Sequence, residues 1–252
     1  MYRESDVMSG QLPYRRVLLK LSGEFLKGTQ EYGIDPGALD IAAREICTAV
    51  SLGVEMAVVI GAGNIFRGLP ASAEGMGRNC ADSMGMLATV MNSLALRDAL
   101  ESAGCPAEIL SAIPMPGIAD GFDARRADRM LSAGTVVILA AGTGHPYFTT
   151  DTTAALRACE IGAAAVLKGT QVDGVYSADP RRVADAQRYS RIGFSEALSR
   201  QLRVMDLTAF SLCMDNQIPI LVFRFGTAGA LERLLRGDLS SATLVDDGPG
   251  YE

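Results

Sequence analysis

Apolar residues fall along the chain in blocks of two kinds. Short runs rich in valine, isoleucine and leucine have the length of buried strands: Val17 to Leu21, Val54 to Ile60, Ala107 to Leu110, Val136 to Ala140, Ala163 to Leu167, Ile218 to Phe223 and Ala242 to Val245. Between them lie longer stretches with helical spacing and end signals. Asp35-Pro36 opens a helix that runs to Leu52 and stops at Gly53. FDARRADRMLSAG reads as a second capped helix, and Asp151 precedes a third that continues to Ile161 and stops at Gly162. Further helices are expected from Phe194, through VMDLTAFSLCMDN and through TAGALERLLRG. The longest is expected over residues 82–103, with Asp82 as a plausible N-cap. Its Met84, Leu87, Met91 and Leu94 repeat as an apolar stripe, for which the core is the first destination and a subunit interface the second. VDGVY reads as a tight hairpin or a loop over a ligand, and SADP as a turn with Asp179 before Pro180.

Strand and helix alternate, which implies an α/β chain with a parallel sheet and right-handed crossovers. Residues 1–13 are expected to be a disordered arm, 14–245 a single domain and 246–252 a loose tail, with no repeat or linker between. Composition agrees with a globular chain, since 48% of its 252 residues are hydrophobic and 21% charged. No apolar run approaches the roughly 18 residues that cross a bilayer, and the polar start MYRESDVMSGQLP lacks the order of a signal peptide. A cytoplasmic location without membrane attachment is therefore expected. The five cysteines are scattered and never in CxxC spacing, which fits reduced, buried thiols. A net charge of −6 argues against nucleic acid as a partner, although local cations can still hold a small phosphorylated ligand. Only Lys20, Lys27 and Lys168 supply ammonium groups, and two of them end apolar runs, where solubility gives no reason for them.

Chemistry gathers where the strands end. Lys20 to Gly23, Gly61 to Arg67, Gly142 to Asp151 and Lys168 to Thr170 are four strand exits carrying glycine, threonine or cations, and in a parallel sheet all four share one edge. Backbone amides and cations without a Ser-His-Asp set or a metal-ligand cluster suit phosphoryl transfer. GAGNIFRG fails as a dinucleotide fingerprint, because it follows the second strand and has Phe66 at the third glycine position, and no P-loop sequence is present. On pattern alone, Lys168 serves equally as an active-site cation or as the partner of a structural carboxylate. Asp206 serves as an orienter of lysine or, slightly favoured, as a helix N-cap.

KLSGE at 20–24, GAGNIFRG at 61–68, DSMGMLATVMN at 82–92, GTGHPYFTTD at 142–151, VDGVYSADP at 172–180 and VMDLTAF at 204–210 together resemble the bacterial uridylate (UMP) kinases of the amino acid kinase superfamily. The resemblance covers nearly everything from Tyr14 to Val245 and implies a three-layer αβα sandwich that transfers the γ-phosphate of ATP to UMP. It implies that Lys20, Leu21, Ser22, Gly23 and Gly63 contact the ATP phosphates, and that Arg67 neutralises charge during transfer. Thr170, Tyr176 and Asp179 are expected to hold the ATP nucleoside. Ala62, Asp82, Thr143, Gly144, His145, Pro146, Tyr147, Phe148, Thr149 and Thr150 are expected to line the UMP site, with Asp82 meeting the ribose. Lys20, Arg67 and Asp151 would be the catalytic set, with Asp151 organising cations because an ionised phosphate nucleophile needs no strong base. A homohexamer, Mg²⁺ bound with ATP, activation by GTP and inhibition by UTP are also implied. The segment Gly28, Thr29, Gln30, Glu31, Tyr32 and Gly33 corresponds to one linked with the GTP response. Three residues depart from the family pattern: Ala62 replaces a usual glycine, Tyr147 a phenylalanine and His145 a more common asparagine, which favours hydrogen bonding over base chemistry for His145. The alternatives are another small-molecule kinase of the superfamily, or a non-catalytic uridine-nucleotide sensor, which should have lost Lys20, Arg67 or Asp151.

Overall fold

All seven apolar runs form strands in the computed structural model, which describes residues 12–66, 75–180, 182–183, 185–202 and 204–248. They are β1 (Arg16–Leu21), β2 (Glu55–Ile60), β3 (Ala107–Ser111), β5 (Val136–Ala140), β6 (Ala165–Thr170), β8 (Ile220–Arg224) and β9 (Ala242–Val245). Two-residue strands β4 (Asp120–Gly121) and β7 (Arg191–Ile192) join them, too short to carry an apolar alternation. The sheet order is β4-β3-β5-β2-β1-β6-β8-β9-β7. Neighbours are parallel except β8 and β9.

Both faces of this sheet are buried, so its strands are continuous apolar runs. Val17, Leu19 and Leu21 of β1, with Met56, Val58 and Ile60 of β2, face a core shared with helices α2 (Pro36–Ser51), α3 (Arg78–Ser102) and α8 (Ala230–Leu235). Leu18, Ala57, Val59 and Val166 face the opposite core, shared with α4 (Ala124–Ser132), α5 (Thr150–Glu160), α6 (Phe194–Ser199) and α7 (Leu207–Asp215). A short helix α1 (Gly23–Leu26) follows β1 directly, capped by Ser22. The result is three layers, αβα. No helix among the described residues is long and apolar enough to cross a membrane.

Local chemistry explains most element ends. Asp35 caps α2 through the Ala38 amide at 2.8 Å, and Asp123 caps α4 through the Arg126 amide at 2.8 Å. Three expectations change. α3 begins at Arg78 after Gly77, so Asp82 lies one turn inside the helix and is not its cap. Asp151 likewise lies within α5, whose cap is Thr149. Lys168 sits inside β6 and not beyond its end. Of the two readings of VDGVY the loop holds, with an isolated bridge between Tyr176 and Arg188.

The apolar stripe of α3 is also corrected: Met84, Leu87 and Met91 are 39%, 50% and 53% exposed, while Leu94 is half-buried. The packing face holds Met86, Val90, Leu96 and Leu100 together with Thr89, Asn92 and Ser93. These polar residues are inside because each is hydrogen-bonded there, and a hydropathy pattern reads them as an outer face. Beyond Val245, Asp246 accepts from Arg191 at 2.7 Å and Asp247 from the Phe194 amide at 2.8 Å. The rest of the two expected loose ends, 1–11 and 249–252, lies outside the described residues.

Asn64 and Asn92 exchange reciprocal amide hydrogen bonds at 2.9 and 2.8 Å, with both side chains at 2% exposure or less. Asn92 also donates to the Gly61 carbonyl at 2.8 Å, and Asn64 to that of Gly33 at 2.9 Å. One buried clasp thus joins α3, the β2 exit and the 28–33 segment. Truncating Asn92 to alanine orphans these partners and is expected to cost about 1–3 kcal/mol. A urea midpoint equal to that of the parent protein would contradict this assignment.

Candidate active site

Parallel pairing puts the exits of β1, β2, β5 and β6 at one sheet edge. Within β1 and β6 the register pairs Lys20 with Lys168, and Leu18 with Val166 two residues earlier. Paired residues share a face. Leu18 and Val166 are buried in the α5 layer, and the next position on that face, where α5 begins, is lysine on both strands. The two ammonium groups converge on one carboxylate: Lys20 Nζ lies 2.8 Å from Asp151 Oδ1, and Lys168 Nζ 2.7 Å from Oδ2. Lys20 is the sole partner of Oδ1 among the described residues. Lys168 also donates to the Val204 carbonyl.

Burial by itself would raise the Asp151 pKa, but the charges and hydrogen bonds of Lys20 and Lys168 outweigh it and hold the carboxyl below its ordinary range. An acid so stabilised as the anion is a poor proton acceptor at neutral pH. Burial also lowers the pKa of Lys168, aided by the like charge of Lys20 and opposed by Asp151. Asp206 caps α7 through the Ala209 amide at 3.0 Å. It also accepts from the Thr149 hydroxyl, and from Thr152 Oγ1 at 3.0 and 3.1 Å, so one carboxylate pins the starts of α5 and α7 together. The cap reading of Asp206 holds, and it reaches the site through these threonines.

Two cavities are lined by the lysines of this ion cluster, and another reaches Thr150, next to Asp151 in the chain. One, of about 550 Å³, is lined by Ala62, Gly63, Phe66, Arg78, Asp82, Met86, Thr143, His145, Phe148, Thr149 and Thr150. Another, of about 560 Å³, runs from Lys168 and Thr170 past Tyr176 and Asp179. A third, of about 930 Å³, is lined by Lys20, Leu21, Ser22, Lys168 and Thr170 and extends to Gly28 and Thr29. Gly23 stands between: a Cβ there would lie 2.4 Å from the Gly61 carbonyl oxygen, so only glycine lets the two exits approach this closely. Ala62 has no left-handed backbone, and its methyl group is accommodated without strain.

Most sequence-derived positions therefore come together. Gly63, expected at the ATP phosphates, lines the cavity that also holds Asp82. Gly144, Pro146 and Tyr147 are not on that cavity's wall: Gly144 packs near Ala112, while Tyr147 is 64% exposed and donates its amide to Asp82 Oδ2 at 2.7 Å. The His145 amide donates to Thr143 Oγ1 at 3.2 Å, and its side chain lines the cavity from an exposed position. Tyr176 donates to Asp173 at 2.8 Å. Of residues 28–33, Gly28 and Thr29 reach a cavity, Gln30 bonds Asp35 at 3.2 Å, the Glu31 carbonyl accepts from Lys27 at 3.4 Å, and Tyr32 is 78% exposed. Arg67 lies outside the described residues. Lys168 belongs in the cluster, and the signal for it was present: a rare lysine ending an apolar run, like Lys20. Arg78 had no signal, because it precedes the motif that begins at Asp82.

The family model described as Amino acid kinase family matches residues 15–224. A uridylate kinase of Paramagnetospirillum magneticum is 55% identical over 230 residues, 91% of this chain and 96% of that protein. A uridylate kinase of Pseudomonas aeruginosa is 53% identical over 93% of this chain and 96% of its own length. Among solved structures, UMP kinase from Bacillus anthracis superposes with a TM-score of 0.90 at 36% identity, covering 94% of this chain and 97% of that one. UMP kinase from Ureaplasma parvum gives 0.87 at 38% identity, covering 92% and 98%. The parallel sheet, the glycine-lined exits and the lysine pair on Asp151 are thus those of a chain that belongs to the amino acid kinase family, among its uridylate kinases.

Proposed function

We propose that the protein transfers the γ-phosphoryl group of ATP to UMP, giving UDP and ADP. The observation that carries this reading is the Lys20–Asp151–Lys168 cluster, whose lysines line two cavities suited to a donor, beside a third that reaches Thr150, next to Asp151 in the chain, and suits an acceptor. Relatives named uridylate kinase, similar over nearly the whole chain, favour UMP over an amino acid or carbamate as acceptor. Retention of Lys20 and Asp151 speaks against a silent sensor.

A phosphate oxygen of UMP attacks the γ-phosphorus as the bond to the ADP oxygen breaks. The nucleophile is already ionised, so no side chain need remove a proton. The obstacle is repulsion: one pair of like charges about 4 Å apart costs roughly 4 kcal/mol at an effective dielectric of 20, and two phosphate groups contribute several pairs. Lys20 and Lys168 supply the opposing charge, and Arg67 is assigned to the same task. Asp151 keeps the two ammonium groups together before substrate arrives. Asp82, with Ala62 and the 143–150 loop, holds UMP. Thr170, Tyr176 and Asp179 hold the donor nucleoside, and Leu21 to Gly23 offer backbone to its phosphates.

The carboxylates nearest the lysines are already engaged, Asp151 by two ammonium groups and Asp206 by two threonines and an amide. This donor set fits a Mg²⁺ that comes with ATP and keeps much of its water, not one caged by protein. When bound it neutralises charge on the transferring phosphates. The exposed stripe Met84, Leu87 and Met91 supports a homohexamer, as a face for a second subunit. Activation by GTP, inhibition by UTP and a cytoplasmic location complete the proposal.

With ATP and Mg²⁺, the purified protein should form UDP from UMP, with little or no product from CMP, dUMP, aspartate or acetylglutamate. Phosphorylation of an amino acid but not of UMP would sink the assignment. Lys168→Ala should lower kcat by about 100-fold while KM for UMP changes by about threefold or less, the pattern of a group that acts on developing charge. Asp151 also predicts a pH effect. Its depressed folded-state pKa contributes stability above the unfolded value, near 4, that is lost as pH falls through the folded pKa. Urea titrations of Asp151→Asn between about pH 6 and pH 3 should therefore show a shallower loss of stability than the parent; parallel curves would contradict the ion cluster.

A further inference from the structure

Arg78 lines the acceptor cavity and has no part in the transfer step above, yet its position is electrostatically unfavourable. It opens α3, the helix end whose free amides carry partial positive charge, and no acidic residue stands in that first turn. Its order relative to Asp82, cation four residues before anion, is the weaker of the two helical arrangements. Helix stability therefore does not account for an arginine here, and its contacts do. Arg78 Nε donates to Asp82 Oδ2 at 2.7 Å, while its guanidinium carbon lies 5.0 Å from the centroid of the Tyr147 ring. The Tyr147 amide donates to the same Oδ2 at 2.7 Å, from a residue held at φ +73°. That left-handed backbone is costly for tyrosine and persists only because its surroundings impose it. One carboxylate oxygen thus fastens the start of α3 to the 143–150 loop. The other, Oδ1, takes no hydrogen bond among the described residues, although Asp82 forms part of the cavity wall.

We infer that Arg78 is a specificity-determining positioning residue, which by fixing Asp82 through Oδ2 directs Oδ1 to the acceptor sugar and makes the site prefer a ribonucleotide over its 2′-deoxy counterpart. This rests on the reading of the cavity as the UMP site. An ionised carboxylate oxygen only accepts, and a ribose offers two vicinal hydroxyl donors where a deoxyribose offers one. A carboxylate free to turn satisfies itself with water whichever sugar is present. A carboxylate held by one oxygen leaves the other unmatched when the hydroxyl is missing, which is how a polar site rejects an analogue. Arginine suits the task and lysine does not, because a planar guanidinium donates along its edge to Asp82 while its face covers Tyr147.

The test compares the full-length protein with Arg78→Gln and Arg78→Lys, using calorimetric titration of UMP and dUMP and steady-state kinetics with ATP and Mg²⁺. In Arg78→Gln the preference for UMP over dUMP, in Kd and in kcat/KM, should fall about tenfold or more, chiefly through weaker UMP, while kcat at saturating UMP stays within about threefold. Arg78→Lys should retain an intermediate preference, and it carries the comparison should the glutamine variant fail to fold. An unchanged preference, or equal weakening of both nucleotides, overturns the inference and leaves UMP kinase activity standing. Absence of UMP binding to the parent protein overturns the reading of the cavity itself.

Discussion

The site depends on a pair of half-buried like charges and the carboxylate that makes them tolerable. Two ammonium groups side by side on adjacent strands repel strongly in a poorly solvated layer. Asp151 offsets this from the first turn of α5, with one oxygen for each lysine. The arrangement requires both the strand register that pairs Lys20 with Lys168 and the loop that starts α5 above that point. Thr149 and Asp206 secure the loop. A shift of one residue in either strand would turn its lysine to the opposite face, into the Leu19 and Leu167 core, so the packing of the sheet and the placement of charge are one constraint.

The parallel sheet was legible because strands buried on both faces read as unbroken apolar runs, and the glycines, aspartates and prolines that end elements act locally. The convergence of the four exits followed from topology alone. Less legible was whatever depends on partners distant in sequence. Asn92 looks like part of an outer helix face until the Gly61 carbonyl, 31 residues away, is seen to receive its hydrogen bond. The methionine and leucine stripe of α3 consequently faces outward, opposite to the side that hydropathy alone selects for the core. Lys168 was ambiguous for a similar reason, since its partner is 17 residues away and the decisive fact is the register with Lys20. Arg78 was invisible because its meaning comes from Tyr147, on a loop remote in sequence.

α3 accordingly carries separate duties along its length. Its first turn borders the cavity that Asp82 lines, its middle holds the Asn64–Asn92 clasp behind the glycine loops, and its outer side presents methionine and leucine to solvent. At 25 residues and a rise of about 1.5 Å each, it is a stiff rod that spans a large part of the molecule. Conserving side-chain volume on one side of it does not protect the function of another.

The scarcity of lysine has a consequence for the chemistry of the protein outside its reaction. Every basic side chain other than Lys20, Lys27, Lys168 and His145 is an arginine, and Lys27 is paired with Glu24 at 2.9 Å. Reagents that acylate or carbamylate amines thus meet almost no decoys on the surface. With three side-chain amines in all, each of them ion-paired, such damage has few places to fall, and the arginines that carry most of the positive charge would keep it.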